Sequence, residues 1–329
     1  MIRAFSLALD APLPTANGTI DHRSGFLFER DGGVGEATPL PGWTESREDC
    51  GAALREADAA DDWDAALAAC EGSPAARHAV SLARLDAESR ARGITLAARL
   101  ADDPAGSVPV NATVGDAGVE ATVEAVENAL DAGFETVKVK VGARSLADDL
   151  ERMRAASDAT DATLRADANG AWSREQAREA FDALAGLGVE YVEQPLAADD
   201  LTGHRGLGDG VGVALDEATT NHALDDVLAV ADCVVLKPMA LGGVDRARDA
   251  ALAAREAGVE PVVTTTIDAA VARTAAVHLA AGVPEISACG LATADLLAED
   301  VADDPAPVES GRIRVPDAPG HGVEVSVDA

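Results

Sequence analysis

Thr136-Val137-Lys138-Val139-Lys140-Val141 decides how this chain is read. Valine alternates with lysine, so a strand here turns the valines to one face and both amines to the other. β-branched residues favour that conformation. The amines are the unusual part. Only three lysines occur in 329 residues, and the third, Lys237, follows the apolar run Val234-Val235-Leu236 and precedes Pro238. Arginine supplies nearly all the other positive charge. Lysine sheds its proton when desolvated or set beside another cation, whereas arginine in practice does not. Lysine kept only at strand-like positions points to proton chemistry there.

Outward from this strand, short apolar runs recur at intervals of roughly 20 to 30 residues. They are Val108–Val114, Thr136–Val141, Thr163–Ala166, Tyr191–Glu193, Val211–Leu215, Cys233–Lys237, Pro261–Thr265 and Glu285–Cys289. Helix-like stretches, such as Ala117–Ala132, Ser173–Ala185 and Val244–Ala257, lie between most of them. Eight βα repeats predict an α/β fold, a (β/α) barrel with a parallel sheet. The preceding residues have another rhythm. Strands are expected at Ile2–Leu9, Gly25–Arg30 and Gly33–Ala37, then helices from Thr44 to Gly93. Ser73-Pro74 reads as a helix start and Gly93 as its cap. Short strands return at Arg312–Val315 and Val323–Val327. The expected division is residues 1–105 as an α+β capping unit, 106–298 as the barrel, and 299–329 returning to the cap.

The formal charge of −32 and sequence pI near 4.3 exclude nucleic acid and anionic membranes as partners. The acids are scattered through helices, as at Asp58, Asp61, Asp62 and Asp64, and form a solvated shell suited to a salt-rich cytoplasm. Cys50, Cys70, Cys233 and Cys289 lie far apart with no CxxC spacing, which argues against disulfides or zinc and for a reducing compartment. The stretch Met1–Leu7 is too short, and too soon interrupted by Asp10, for a signal peptide. No stretch approaches a membrane span. Composition leaves a homo-oligomer open.

In (β/α) barrels, the carboxyl ends of the strands share one mouth. The expected strand ends carry Lys138 and Lys140, then Asp167 and Asn169, Glu193, Asp216 and Glu217, Lys237, and Thr264-Thr265-Thr266. Carboxylates from three consecutive strands suit a hard cation such as Mg²⁺, with Mn²⁺ as an alternative. Lysines on either flank would face a small-molecule carboxylate substrate held between them. That set suits removal of a proton from carbon next to a carboxylate, where the cation offsets developing charge and an amine takes the proton. Each residue alone has a plainer reading as an ion pair, helix cap or turn. The ordered set is the specific signal.

The set Val137-Lys138-Val139-Lys140, Asp167-Ala168-Asn169, Glu193-Gln194-Pro195, Asp216-Glu217 and Lys237-Pro238 resembles the enolase superfamily, in its muconate lactonizing enzyme subgroup. The resemblance implies a modified TIM barrel under an α+β capping domain formed by both chain ends. It also implies Asp167, Glu193 and Asp216 as Mg²⁺ ligands and Lys140 as general base. Lys237 would be its partner across the site, and Lys138 would tune the field near Lys140.

Four features are most similar to the o-succinylbenzoate synthase family. They are Lys140-Val141-Gly142, Arg165 two residues before Asp167, Gly35–Gly42, and Cys289–Thr293 with Leu296–Val301. That resemblance implies cytoplasmic, Mg²⁺-dependent syn dehydration of 2-succinyl-6-hydroxy-2,4-cyclohexadiene-1-carboxylate in menaquinone biosynthesis. Arg165, Thr264, Thr265 and Gly290, with the loop Gly18–Arg23, are then expected around the substrate. Ile267-Asp268-Ala269 departs from that family's usual Glu-Ser-Ser. Rival reactions on the same site are racemisation of N-acylamino acids, epimerisation of dipeptides and cycloisomerisation of muconate. Epimerases usually carry Asp-x-Asp after the eighth strand, where this chain has Cys289-Gly290-Leu291. No histidine ends the expected seventh strand, which disfavours a mandelate-racemase type, and all six histidines are assigned to surface or packing. A reading of another class is a non-catalytic metal-binding scaffold.

Overall fold

A computed structural model of the chain describes residues 1–15, 18–208 and 210–325. Strands β1 (Ile2–Thr15), β2 (Gly18–Arg30) and β3 (Gly33–Ala37) form an antiparallel sheet in that order. Helices Arg47–Asp58, Trp63–Ala69, Pro74–Arg92 and Leu96–Leu100 follow. Pro74 opens its helix at the first turn, and Gly93 closes it at φ 65°, a left-handed conformation open to glycine. The interface of β2 and β3 with these helices is packed with small residues, including Ala75, Ala76, Ala79 and Ala83 around Phe28 and Leu54. Alanine on the helix lets the sheet approach closely, so few aromatics are needed.

Two strands leave the cap's rhythm. The expected run Val108–Val114 is split into β4 (Ser107–Pro109) and β5 (Ala112–Val114). Pro109 lacks a donor, and β4 pairs antiparallel with β13 (Arg312–Arg314), itself paired to β12 (Val308–Glu309). Of Val323–Val327, the first three residues lack strand structure and the last two lie outside the described residues. The C-terminal segment still docks on the cap: Leu96 N donates to Gly320 O at 2.7 Å, and His321 N donates to Asp86 Oδ1 at 3.0 Å.

The barrel continues through β6 (Thr136–Lys140), β7 (Thr163–Asp167), β8 (Tyr191–Glu193), β9 (Gly212–Leu215), β10 (Cys233–Leu236) and β11 (Glu260–Val263). With β5 they pair in parallel, each beside its sequence neighbour. The expected eighth strand shrinks to two bridging residues. Cys289 pairs with Val110 and Gly290 with Thr264, and these bridges link the two ends of the sheet. Glu285 takes φ 52° in a turn just after Pro284, which shortens the extended run. A Cβ at Gly290 would lie 2.6 Å from Thr264 Oγ1, so a side chain there would force Thr264 to move.

Outward valines of the strands, among them Val137, Val139, Val192 and Val213, pack on surrounding helices such as Leu146–Ala159 and Arg174–Ala185. Local signals set those helices: Ser145 caps one, and a Ser173–Gln176 capping box opens the other. All four cysteines are free and buried. His78, His204, His278 and His321 are buried and bond main-chain groups. Among the described residues, no helix is long and apolar enough to cross a membrane.

Candidate active site

Strand alternation turns Lys138 and Lys140 away from the outer valines, to the face shared with Arg165 and Asp167 of the next strand. Register then sets the row of groups. Lys140 pairs with Asp167, Asp167 with Glu193, and Glu193 with Ala214, two residues before Asp216. Lys237 directly follows β10. The sequence-predicted lysines and carboxylates therefore meet at the carboxyl ends of five adjacent strands.

Each carboxylate is held by an amine. Lys138 Nζ donates to both oxygens of Glu193, at 3.0 and 2.8 Å, and stands 3.0 Å from Asp167 Oδ2. Lys140 Nζ donates to Asp167 Oδ2 at 2.7 Å and to Asn169 Oδ1 at 2.8 Å. Lys237 Nζ bonds both oxygens of Asp216. Asn169 donates onward to Glu217 Oε1 at 3.0 Å.

Burial makes these charges interact strongly. It pushes the Glu193 carboxyl up to about 7, helped by the charge of Asp167 and only partly offset by Lys138. Burial likewise raises Asp216 to about 6 against the pull of Lys237. For Asp167, burial is outweighed by Lys138 and Lys140, which hold its carboxyl well below the usual range. Burial would lower the Lys138 amine, but Asp167 and Glu193 outweigh it and keep that amine firmly protonated.

Among the described residues, no three Asp, Glu, His or Cys side chains are gathered as a ready metal cage. Lys138 stands between Asp167 and Glu193, while Lys140 and Lys237 each hold one carboxylate. The donor set nevertheless fits a hard divalent cation: Asp167 and Asp216 on the neighbouring strands add to the burial that raises Glu193, and an added cation relieves that repulsion. Beside Asp216, Glu217 Oε2 is buried with no hydrogen-bond partner among the described residues.

The residues expected around the substrate are each bonded within the protein. Arg165 is 1% exposed. Its Nε donates to Glu190 Oε2 at 2.6 Å, another nitrogen donates to Ala288 O at 2.6 Å, and its guanidinium lies over Tyr191. Thr264 Oγ1 donates to Gly290 O, and Thr265 Oγ1 pairs with Thr293 Oγ1, so these side chains tie the seventh strand to its neighbour. Residues Gly18–Arg23 belong to β2, where Arg23 is buried and donates to the carbonyls of Thr38, Pro39 and Ile267. A cavity of about 130 Å³ opens between Leu9–Leu13 of β1 and Ile267 and Leu296. Ile267 sits at φ 61°, a strained conformation for a β-branched residue.

Sequence reading missed two supporting residues. Gln194, at φ 40°, donates to Leu196 O, and its Oε1 accepts from the N–H groups of Asp216 and Ala218 at 3.1 and 3.0 Å. It therefore fixes the strand end that bears Asp216. Arg152, 1% exposed, donates to Lys140 O at 2.9 Å and to Asp149 Oδ1 at 2.9 Å. Asp149 in turn accepts from Gly142 N at 2.7 Å. Gly142 needs its φ of 89°, and a Cβ there would lie 2.7 Å from that of Ala171.

The fold and site define an α/β enzyme class: a barrel under a cap made by both chain ends, with acids and amines at the strand ends. The chain belongs to the enolase superfamily, since residues 121–329 match the Enolase C-terminal domain-like family. It is 41% identical over 209 residues to o-succinylbenzoate synthase of Thermobifida fusca, a match covering 60% of this chain and 63% of that protein. It is 31% identical over 272 residues to chloromuconate cycloisomerase of Cupriavidus pinatubonensis, covering 79% and 73%. A dipeptide epimerase from Methylococcus capsulatus, complexed with Mg and the dipeptide L-Arg-D-Lys, superposes with TM-score 0.88 and 28% identity, over 99% of this chain and 98% of that one.

Proposed function

We propose that this chain is an o-succinylbenzoate synthase, dehydrating 2-succinyl-6-hydroxy-2,4-cyclohexadiene-1-carboxylate to 2-succinylbenzoate in the cytoplasm as a step of menaquinone synthesis. The observation that carries this reading is the row of five strand ends, with Lys140 and Lys237 flanking three buried carboxylates. The identity to the Thermobifida fusca enzyme supports this reaction among those such a row serves.

Asp167, Glu193 and Asp216 would hold Mg²⁺ or Mn²⁺. When bound, the cation supplies positive charge to the substrate carboxylate as its neighbouring carbon loses a proton. Lys140 takes that proton on Nζ, from the mouth of the barrel, where its side chain keeps 37% exposure. The C–O bond on the same face then breaks, hydroxide leaves, and the ring becomes aromatic. Lys138, held protonated, contributes fixed charge beside Lys140. Lys237 stabilises the anionic intermediate from the other flank as a cation and does not serve as the acid. Arg165, Thr264, Thr265 and Gly290 are assigned to substrate binding, and residues 1–105 and 299–329 to the cap that closes the site.

Purified protein with Mg²⁺ and the cyclohexadiene substrate tests the reading. Loss of the substrate's ultraviolet absorption, abolished by EDTA, is the expected result. A second reading, epimerisation or racemisation, is favoured by the full-length likeness to a dipeptide epimerase. No change with the cyclohexadiene, together with deuterium uptake into N-succinylamino acids or dipeptides, would establish that reading instead. Absence of turnover and of metal binding would leave a scaffold.

A further inference from the structure

Lys237 has a second neighbour. Its ammonium nitrogen lies 3.4 Å from the centroid of the Trp43 ring while it bonds Asp216. Trp43 belongs to the cap, in the turn between β3 and the helix Arg47–Asp58. That turn is braced on every side. The N–H groups of Trp43 and Thr44 both donate to Leu40 O at 3.0 Å, and Leu40 N donates to Thr44 Oγ1 at 2.9 Å. Arg23 grips the carbonyls of Thr38 and Pro39. Glu45 accepts from Ala75 N and Ala76 N at 3.0 and 2.9 Å, at the start of the helix Pro74–Arg92. Among the described residues Trp43 joins no apolar core cluster, so core packing does not account for it.

We propose that Trp43 is a positioning residue, whose ring face holds the Lys237 ammonium at the site. The inference rests on reading Lys237 as the fixed cation opposite Lys140. A carboxylate partner attracts an ammonium but cancels much of its charge. A ring face attracts it through the quadrupole and leaves that charge available to a reacting anion. Trp43 therefore keeps Lys237 in place and charged when Asp216 turns to another cation. It also makes the cap part of the site, because the ring and the amine come from different parts of the chain.

Lysine scarcity makes the test direct. Protein grown on ¹³C-lysine shows three side chains, Lys138, Lys140 and Lys237. The ring current of Trp43 should displace one ε-methylene signal to low frequency, and Lys237→Arg should remove that signal. Trp43→Leu should return it to the ordinary range, and Trp43→Phe should keep part of the displacement. In turnover, Trp43→Phe should stay within about 3-fold of the parent, while Trp43→Leu should lower kcat about 10-fold with a smaller change in KM.

A parent protein with no displaced signal overturns the contact, even if the leucine variant fails to fold. A displaced signal that survives Trp43→Leu does the same. A signal lost in Trp43→Leu with kcat unchanged overturns the positioning role. If the parent is inert toward the cyclohexadiene but shows the displaced signal, the contact stands and only the reaction reading fails.

Discussion

Lys140 sits where two kinds of partner meet: Asp167, a carboxylate, and Asn169, an amide whose own donor is committed to Glu217. Arginine at this position would keep the charge but lose a removable proton, whereas at Lys237 a planar guanidinium would replace the compact ammonium held between Asp216 and the Trp43 ring. Under the proposed reaction, Lys140→Arg and Lys237→Arg should each lower kcat by about 100-fold or more. Steady-state rates beside circular dichroism check this, and near-normal rates in both folded variants would defeat the assignment. Gln194 belongs to the same scale. Gln194→Leu leaves the N–H groups of Asp216 and Ala218 without their acceptor in a buried position, which should cost about 3 kcal/mol in urea unfolding. A loss below about 0.5 kcal/mol would show that water replaces the amide. The lysines and acids were legible because their residue types are rare or costly at apolar strand ends. The supporting roles of Gln194 and Trp43 were not: Gln194 stands in the motif Glu193-Gln194-Pro195, but its bonds depend on a positive φ, and Trp43 acts through a contact across the cap.

At the scale of elements, a carboxylate of the cap serves a helix of the barrel. Glu36, in β3, accepts from Ala269 N and Ala272 N, both at 2.8 Å, at the start of the helix Ala270–Ala281. Burial, then the charge of Asp268, push its carboxyl up to about 7. A group whose folded pKa is raised contributes stability that is fully present below its unfolded value, here 4.5, and lost as pH rises through about 7. The swing is about 3 kcal/mol at 1.36 kcal/mol per unit. Glu36→Gln removes the titration but leaves one N–H without its acceptor. The variant should therefore be about 1 kcal/mol less stable than the parent at pH 5, with the gap closing or reversing by pH 8. Urea unfolding across that range decides it, and a gap that widens with pH would show the opposite sign. Strand and helix order was legible because valine alternation and capping residues act locally. The splitting of the first strand and the shrinking of the eighth were not. Both depend on the position of Pro109 and the turn at Glu285 relative to partners distant in sequence.

At the scale of the whole molecule, charge opposes the fold. Acidic residues number 58 against 26 lysines and arginines. Compaction brings these like charges together, and the repulsion acts over about 10 Å at 0.1 M salt but only about 3 Å at 1 M. Salt also weakens the ion pairs. Many of those are exposed, such as Arg314–Asp317 and Arg248–Asp249, and pairs of that kind contribute little. The buried pairs, Arg152–Asp149 and Lys237–Asp216 among them, are poorly screened and should persist. Repulsion is therefore the term that salt removes most. Raising KCl from 0.1 to 2 M should relieve a few kcal/mol and lift the unfolding midpoint by about 4–6 °C. Scanning calorimetry at neutral pH measures this directly, with an uncharged osmolyte as control for general exclusion effects. A midpoint highest in dilute buffer would mean that attractive surface pairs, rather than the excess of acids, govern the stability of this shell.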